Sequence, residues 1–375
     1  MTDREIFIDY VKNGGKKQLC SPQIGCGAGY DAKIIGKRFC SEAGLEDTMA
    51  VNKRYNMLPL YNIGLDPLMH CTEIKWITDN FSKTSEKIEK TSHCKTPYGT
   101  MQRHYVEHPE KGGFNIINAI NSADDLDMLE YVIDCGLSCS DFSCYAKLGA
   151  DYNRLIGQDG ALSFQWCMQP YEMLGYPDTV TTALLPYDDE PRFFRLMDKI
   201  LELDFKIIDA LALSGIDFVF LGGPGSEIIS PAYYEKYLVP YSRLVTDYAH
   251  SRGLLIYSHI CSPIEPMLSK GYYNQMGIDL FETISPTPEG NIKSLADALS
   301  KLDDQICTRG NVSLSKMLTG TPQSIKQEIF DIMDASRNRK HIVAASDYLL
   351  YDVPEANVSA LCSAVADYNS RYESA

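Results

Sequence analysis

From about residue 160 onward the chain alternates short apolar runs with longer amphipathic stretches, an order of elements that leaves room for few folds. Strands are expected at 161–168, 217–221, 254–257, 279–284, 305–308 and 341–345. Between them, leucines and isoleucines recur at helical spacing over 192–214, 230–250, 291–301 and 322–337, with further helices starting at Pro263 and near Pro354. Ser230-Pro231 has the cap-then-proline signature of a helix start. Strands buried on both faces read as unbroken apolar runs, so these are parallel strands with helical crossovers. Six such units, with polar residues gathered where each strand ends, predict an α/β protein built as a (β/α)8 TIM barrel. An open doubly wound sheet is the alternative, but there is neither a Gly-x-Gly-x-x-Gly after the first strand nor a P-loop to support its nucleotide-binding version.

The first 150 residues are less regular. Strands are expected at 17–24 and 57–63, a polar segment at 80–95, a turn at Thr96-Pro97-Tyr98-Gly99-Thr100, and helices near the start and at 123–135. No linker composition interrupts the chain. Residues 1–375 are therefore expected as one barrel with an N-terminal elaboration, 80–150 forming an inserted or added subdomain. The 35 Lys and Arg against 50 Asp and Glu leave a net charge of −15, which repels phosphate backbones and anionic lipid and argues against nucleic acid and membrane partners. With no signal-like apolar run at the start and no uncharged apolar stretch of about 18 residues, the chain is expected in the cytoplasm. Its twelve cysteines include no Cys-x-x-Cys pair, which suits a reducing compartment, and most are expected as small core residues.

The pattern that points to chemistry is His259-Ile260-Cys261, directly after the run 254–257. Alternation along a strand directs residues two apart to one side, so imidazole and thiol converge. Zinc accepts both at about 2.0 to 2.3 Å, and a catalytic zinc keeps about three protein ligands and one position for substrate. Glu282 ends the next strand and Asp347 the last, so all four reach the C-terminal mouth, where such barrels assemble sites from separate strands. Glu227, in Gly225-Ser226-Glu227 ahead of a helix, is a candidate catalytic group; a first-turn carboxylate stabilising the helix dipole is the alternative reading. Among 24 tyrosines, Tyr30, Tyr171, Tyr176, Tyr257, Tyr348 and Tyr351 fall near expected mouth loops and offer aromatic walls with hydroxyl tips to a flat substrate. Gln165 and Asn311, at or just past strand ends, would orient a substrate hydroxyl or carboxylate. Half-buried barrel packing is the alternative for these tyrosines and polar groups alike.

Gly222-Gly223-Pro224, Ser230-Pro231, Tyr237-Leu238-Val239-Pro240-Tyr241, His259-x-Cys261, Arg309-Gly310-Asn311-Val312 and Gly320-Thr321-Pro322 together resemble the uroporphyrinogen decarboxylase superfamily. Gly27-Ala28-Gly29-Tyr30-Asp31 and the Thr96 to Thr100 turn are similar to its zinc-dependent corrinoid methyltransferase branch. That resemblance implies zinc held by His259, Cys261 and a late cysteine; the corresponding position, counted back from Asn357, carries Asp347, and no cysteine lies between Cys307 and Cys362. Glu282 stands about where cobalamin-independent methionine synthase, a similar barrel, places a zinc-binding glutamate. The implied ligand set is His259, Cys261, Glu282 and Asp347.

Replacing a thiolate by a carboxylate hardens the metal and favours an oxygen-bearing substrate. The resemblance then implies an enzyme that moves a methyl group from a small methylated compound, an aryl methyl ether above others, to the Co(I) of a separate corrinoid protein. The chain itself lacks the Asp-x-His-x-x-Gly pattern of a corrinoid-binding module. The competing readings are a methylcobamide:thiol methyltransferase, a metal-free decarboxylase with arginines at its mouth, and a non-catalytic corrinoid-binding or scaffold protein in which His259 and Cys261 are core residues.

Overall fold

A computed structural model of the chain describes residues 1–165 and 170–373. In chain order its strands are β1 (Leu60–Gly64), β2 (Ile77–Lys83), β3 (Ile88–Thr96), β4 (Gly99–His108), β5 (Gly112–Ile117), β6 (Ala161–Gln165), β7 (Phe218–Leu221), β8 (Leu255–His259), β9 (Leu280–Glu282), β10 (Cys307–Val312) and β11 (His341–Ala345). Seven of them form one parallel sheet in the order β1-β6-β7-β8-β9-β10-β11. All six expected units from residue 160 onward are present, and the expected residues 166–168 of the first strand lie outside the described residues. Helices follow the strands as crossovers, among them Glu190–Ala212, Val239–Ser251, Pro322–Ala335 and Glu355–Glu373.

One apolar cluster takes Leu60, Ala161, Phe218, Tyr257, Leu280, Cys307 and Ile342, a residue from each of the seven strands, so the sheet must curl around it. Leu19 joins that cluster, as do Phe7, Tyr10 and Val11 of the helix Asp3–Asn13, which covers one end of the curl. Residues 19–21 lie along the free edge of β11. Ser21 N–H donates to the Val343 carbonyl at 2.9 Å, and Val343 N–H donates to the Leu19 carbonyl at 2.9 Å. The Cys20 carbonyl in turn accepts from Leu58 N–H at 3.0 Å, just ahead of β1. The strand expected at 17–24 is thus reduced to a single parallel bridge between Cys20 and Val343. Outside the curl, Val219, Ile256, Phe281 and Val343 pack against helix residues such as Leu196, Ile200, Ile329 and Leu361.

Residues 77–117 form a four-stranded antiparallel sheet, β2-β3-β4-β5, where the sequence suggests only a polar segment and a turn. The turn is the β3–β4 hairpin, with Thr96 opposite Gly99. The strands escape notice because β2 is almost wholly solvent-exposed, and in β3 few positions are buried. The helices expected in the first 150 residues appear at Asp3–Asn13 and Leu126–Ser138, and Tyr30–Ile34, Leu45–Arg54 and Ser143–Ile156 are helical besides. Among the described residues no helix is long and apolar enough to cross a membrane.

Candidate metal centre

Strands β8, β9 and β10 lie side by side, and their register sets His259 opposite Glu282 and Glu282 opposite Arg309. Each stands two residues beyond Tyr257, Leu280 or Cys307, which face the inside of the curl, so alternation puts all three on that concave face. Glu282 is wholly buried. It accepts the Nδ1–H of His259 at 2.7 Å and the hydroxyl of Tyr257, and its second oxygen lies 3.2 Å from Nη1 of Arg309. Arg309, 1% exposed, also donates from Nε to the Ser21 carbonyl at 2.7 Å. Burial pushes the Glu282 carboxyl upward, but the Arg309 charge and the His259 hydrogen bond outweigh it and hold the group below the usual carboxylate range.

The bond to Glu282 commits Nδ1, and Nε2 is left facing Asp347, 3.5 Å from its Oδ1. The ligand atoms of His259, Cys261 and Asp347 all lie within 4.8 Å of one another. Tetrahedral zinc with bonds of about 2.0 to 2.3 Å needs ligand atoms roughly 3.3 to 3.8 Å apart, so small side-chain movements would complete the site. Burial opposes a charge on His259, yet hydrogen bonds to Cys261 and Glu282 and their charges raise its pKa to about 10. Asp347 is shifted upward as well: burial pushes its carboxyl up. One nitrogen, one sulfur and one oxygen donor, with a carboxylate behind the imidazole, is a donor set that fits zinc with a position left over. Glu282 lies on the far side of the ring from that cluster, as an orienting partner of His259.

A polar chain continues from this centre. The rings of Tyr348 and His259 are 5.8 Å apart, and Asn62 Nδ2 donates to the Tyr348 hydroxyl at 2.5 Å and to the Tyr257 hydroxyl at 3.4 Å. Asn62 Oδ1 is buried with no hydrogen-bond partner among the described residues. Cys26 donates from Sγ to Gln165 Oε1 at 3.0 Å. Cys26 and Asn62 both line a cavity of about 250 Å³ that also exposes Asp31, Tyr61 and Tyr152. Of the expected substrate residues, Tyr257, Tyr348 and Gln165 therefore belong to one network with the centre. Asn62 and Cys26 carry no sequence signal that singles them out, and Arg309 enters there only as part of the Arg309-Gly310-Asn311-Val312 motif, although it is the one charged residue of the buried strand β10.

The other expected residues sit elsewhere. Tyr30 is buried, its hydroxyl 2.8 Å from that of Tyr55. Tyr171 packs edge-on against Tyr233, with its hydroxyl buried and without a hydrogen-bond partner among the described residues. Asn311 donates from Nδ2 to the Ile284 carbonyl at 3.0 Å and lines a recess with Ile292 and Glu328, on the helical side of the sheet. Glu227 is exposed on a rim beside the Cys261 loop. A Cβ on Gly225 would stand 2.3 Å from Glu227 Oε2 and 2.5 Å from Ser262 Cβ, so only glycine lets these loops meet. Arg54 and Arg38 pair with Glu355 and Glu110, and Arg103 lies over the rings of Trp76 and Tyr176.

Residues 170–368, just over half of the chain, match the family model for uroporphyrinogen decarboxylase. A uroporphyrinogen decarboxylase of Prochlorococcus marinus (strain MIT 9303) is 30% identical over 134 residues, 34% of each chain. That of Syntrophotalea carbinolica is 25% identical over 214 residues, 56% of this chain and 59% of its own. The chain thus spans between about a third and three-fifths of the length of these curated relatives. A solved structure described as a methyltransferase from Methanosarcina mazei superposes with a TM-score of 0.67 at 14% identity, covering 98% of this chain and 99% of that one, a likeness of fold.

Proposed function

The chain belongs to the uroporphyrinogen decarboxylase family, and from that membership we propose that it is a zinc-dependent methyltransferase acting between a small methylated compound and a separate corrinoid protein. We read the curled sheet as a (β/α)8 barrel completed by residues 19–21, in one domain spanning residues 1–375. The observation that carries the function is the convergence of His259 Nε2, Cys261 and Asp347, with Glu282 holding Nδ1 from behind. The whole-chain likeness to a structure described as a methyltransferase supports the same reading.

Bound zinc would supply Lewis-acid stabilisation of charge on the leaving oxygen of an ether. His259, Cys261 and Asp347 would hold it, and Glu282 would keep the imidazole in the tautomer that presents Nε2. A carboxylate ligand in place of a second thiolate favours an oxygen leaving group, an aryl methyl ether above a thiol. Tyr257 and Tyr348 would flank such a ring, and Asn62 Oδ1 would accept from a hydroxyl on it. The decarboxylase reading, which the curated relatives suggest, needs cationic groups free to meet an acidic substrate. Arg309 is committed to Glu282 and Ser21, which weighs against it.

The test combines metal analysis with turnover. The purified protein should carry about one zinc per chain and Cys261→Ser should lose most of it. With Co(I) corrinoid protein and a panel of methoxyarenes, methylamines and methylthiols, cobalt absorbance should change with the methoxyarenes. Full zinc and activity in Cys261→Ser would sink the metal assignment, and turnover restricted to methylthiols would move the substrate class.

A further inference from the structure

We propose that Cys20 and Cys362 form a thiol–disulfide site that closes by exchange with a small-molecule disulfide and ties residues 19–21 to the C-terminal helix. Their sulfurs lie 3.7 Å apart although 342 positions separate them in sequence, and Cys20 donates its S–H to the Cys362 sulfur. Cys20 is pinned by the backbone hydrogen bonds of its neighbours to Val343 and of its own carbonyl to Leu58. Cys362 is held in the helix Glu355–Glu373. Neither sulfur belongs to the metal centre. Both are half-buried, and both line a surface recess of about 400 Å³ together with Lys17, Tyr55 and Asn369, so a reagent can reach them. Cys94 and Cys307, by contrast, are sealed in the core.

Cys362, whose sulfur accepts the hydrogen bond, attacks one sulfur of the reagent R–S–S–R as a thiolate and expels R–S⁻. Cys20 then attacks the mixed disulfide at the Cys362 sulfur and expels the second R–S⁻. The protein loses two thiol hydrogens, and the reagent takes up the two electrons and leaves as two R–SH. The hydrogen bond to Cys362 and burial both push the Cys20 thiol up, which suits the second, intramolecular attack, where proximity replaces nucleophile concentration. The sulfurs must close from 3.7 Å to a bond of about 2.05 Å, a displacement within reach of a partly exposed helix. The bridge would stiffen the segment whose Ser21 carbonyl holds Arg309.

The intact chain is incubated, mildly alkaline, in a mixture of oxidised and reduced glutathione, alkylated under denaturing conditions, and digested without reduction. The expected product is one species joining the Cys20 and Cys362 peptides, lighter than the two thiol peptides by about 2 Da and separated by dithiothreitol. The oxidised chain should melt several degrees higher, because the bridge closes a very long loop in the unfolded chain, and Cys362→Ser should show neither link nor shift. Recovery of both cysteines alkylated, a glutathione adduct that never resolves, or a bridge to a third cysteine would overturn the proposal. The peptide map of the unmutated chain decides even if a variant misfolds, and no outcome depends on zinc or methyl transfer.

Discussion

Replacing Glu282 by Gln keeps the shape of the side chain and removes its charge. The change leaves the Arg309 guanidinium, 1% exposed, with a neutral carbonyl from Ser21 and no counterion. Breaking one partner out of a buried ion pair costs about 3–5 kcal/mol, and the Ser21 hydrogen bond points to the lower end of that range. A loss of about 3 kcal/mol is a large share of the roughly 5–15 kcal/mol that holds a domain folded, so the variant should fold and, in a chain of this length, melt about 4 °C lower. The same substitution removes the carboxylate behind His259 Nδ1, so zinc affinity should fall roughly 10- to 100-fold. Adding Arg309→Met to Glu282→Gln separates the two effects. With both charges gone, stability should return to within about 1 kcal/mol of the parent, since a hydrophobic replacement of a buried pair is often neutral. Zinc affinity should stay low. Thermal melting in the presence of chelator reads the first quantity, and competition with a chromophoric chelator reads the second. The reasoning fails if the single variant melts within a degree of the parent, or if the double variant is no more stable than the single one.

Asp347→Asn should weaken zinc binding and slow methyl transfer, whereas Asp347→Cys should retain zinc but transfer more slowly from ethers; equal ether turnover in all three forms would remove Asp347 from the ligand set. His341 is wholly buried, and desolvation drops its pKa to about 4 from an unfolded value near 6.5. It is neutral when folded, so its contribution is complete above about pH 6.5, and it is lost as pH falls toward about 4 and the unfolded chain takes up the proton. The shift corresponds to about 3 kcal/mol, read as a drop in urea midpoint between those pH values that His341→Gln should flatten. Glu227→Lys should leave zinc content unchanged while slowing turnover at limiting corrinoid protein; identical kinetics would argue against docking at that rim.

The parallel sheet was legible because strands buried on both faces read as apolar runs, as Phe218–Leu221 and Ile342–Ala345 do. The antiparallel sheet was not, since Ile77–Lys83 buries almost nothing and so carries no period-two pattern. At the candidate metal centre, spacing alone brought out His259 and Cys261. It could not separate a ligand from the residue that orients a ligand. Which imidazole nitrogen meets which carboxylate follows from the lateral register of β8 and β9, which sets Glu282 beside His259. Arg309 is the one charged residue of its strand, yet its counterion lies on a neighbouring strand, 27 positions earlier in the chain. Tyr30 and Asn311 show the converse: residue type and nearness to a strand end matched a binding role, and packing against Tyr55 and Ile284 claimed them.

The contacts that finish the parallel sheet join segments made at opposite times on the ribosome. Tyr10 donates its hydroxyl to the His341 carbonyl at 2.9 Å, 331 positions away, and Phe7, Tyr10 and Val11 rest in a cluster with Cys307 and Ile342. At roughly 5–20 residues per second, the hydroxyl of Tyr10 waits on the order of tens of seconds for that carbonyl. The strands from β6 onward can associate with sequence neighbours as they emerge, since each pairs with the next in order. Pairing of residues 19–21 with β11 must therefore come last. A nascent chain stalled before residue 341 should leave residues 19–21 open to protease, and their protection should coincide with synthesis of β11 rather than with that of the candidate metal ligands His259 and Cys261.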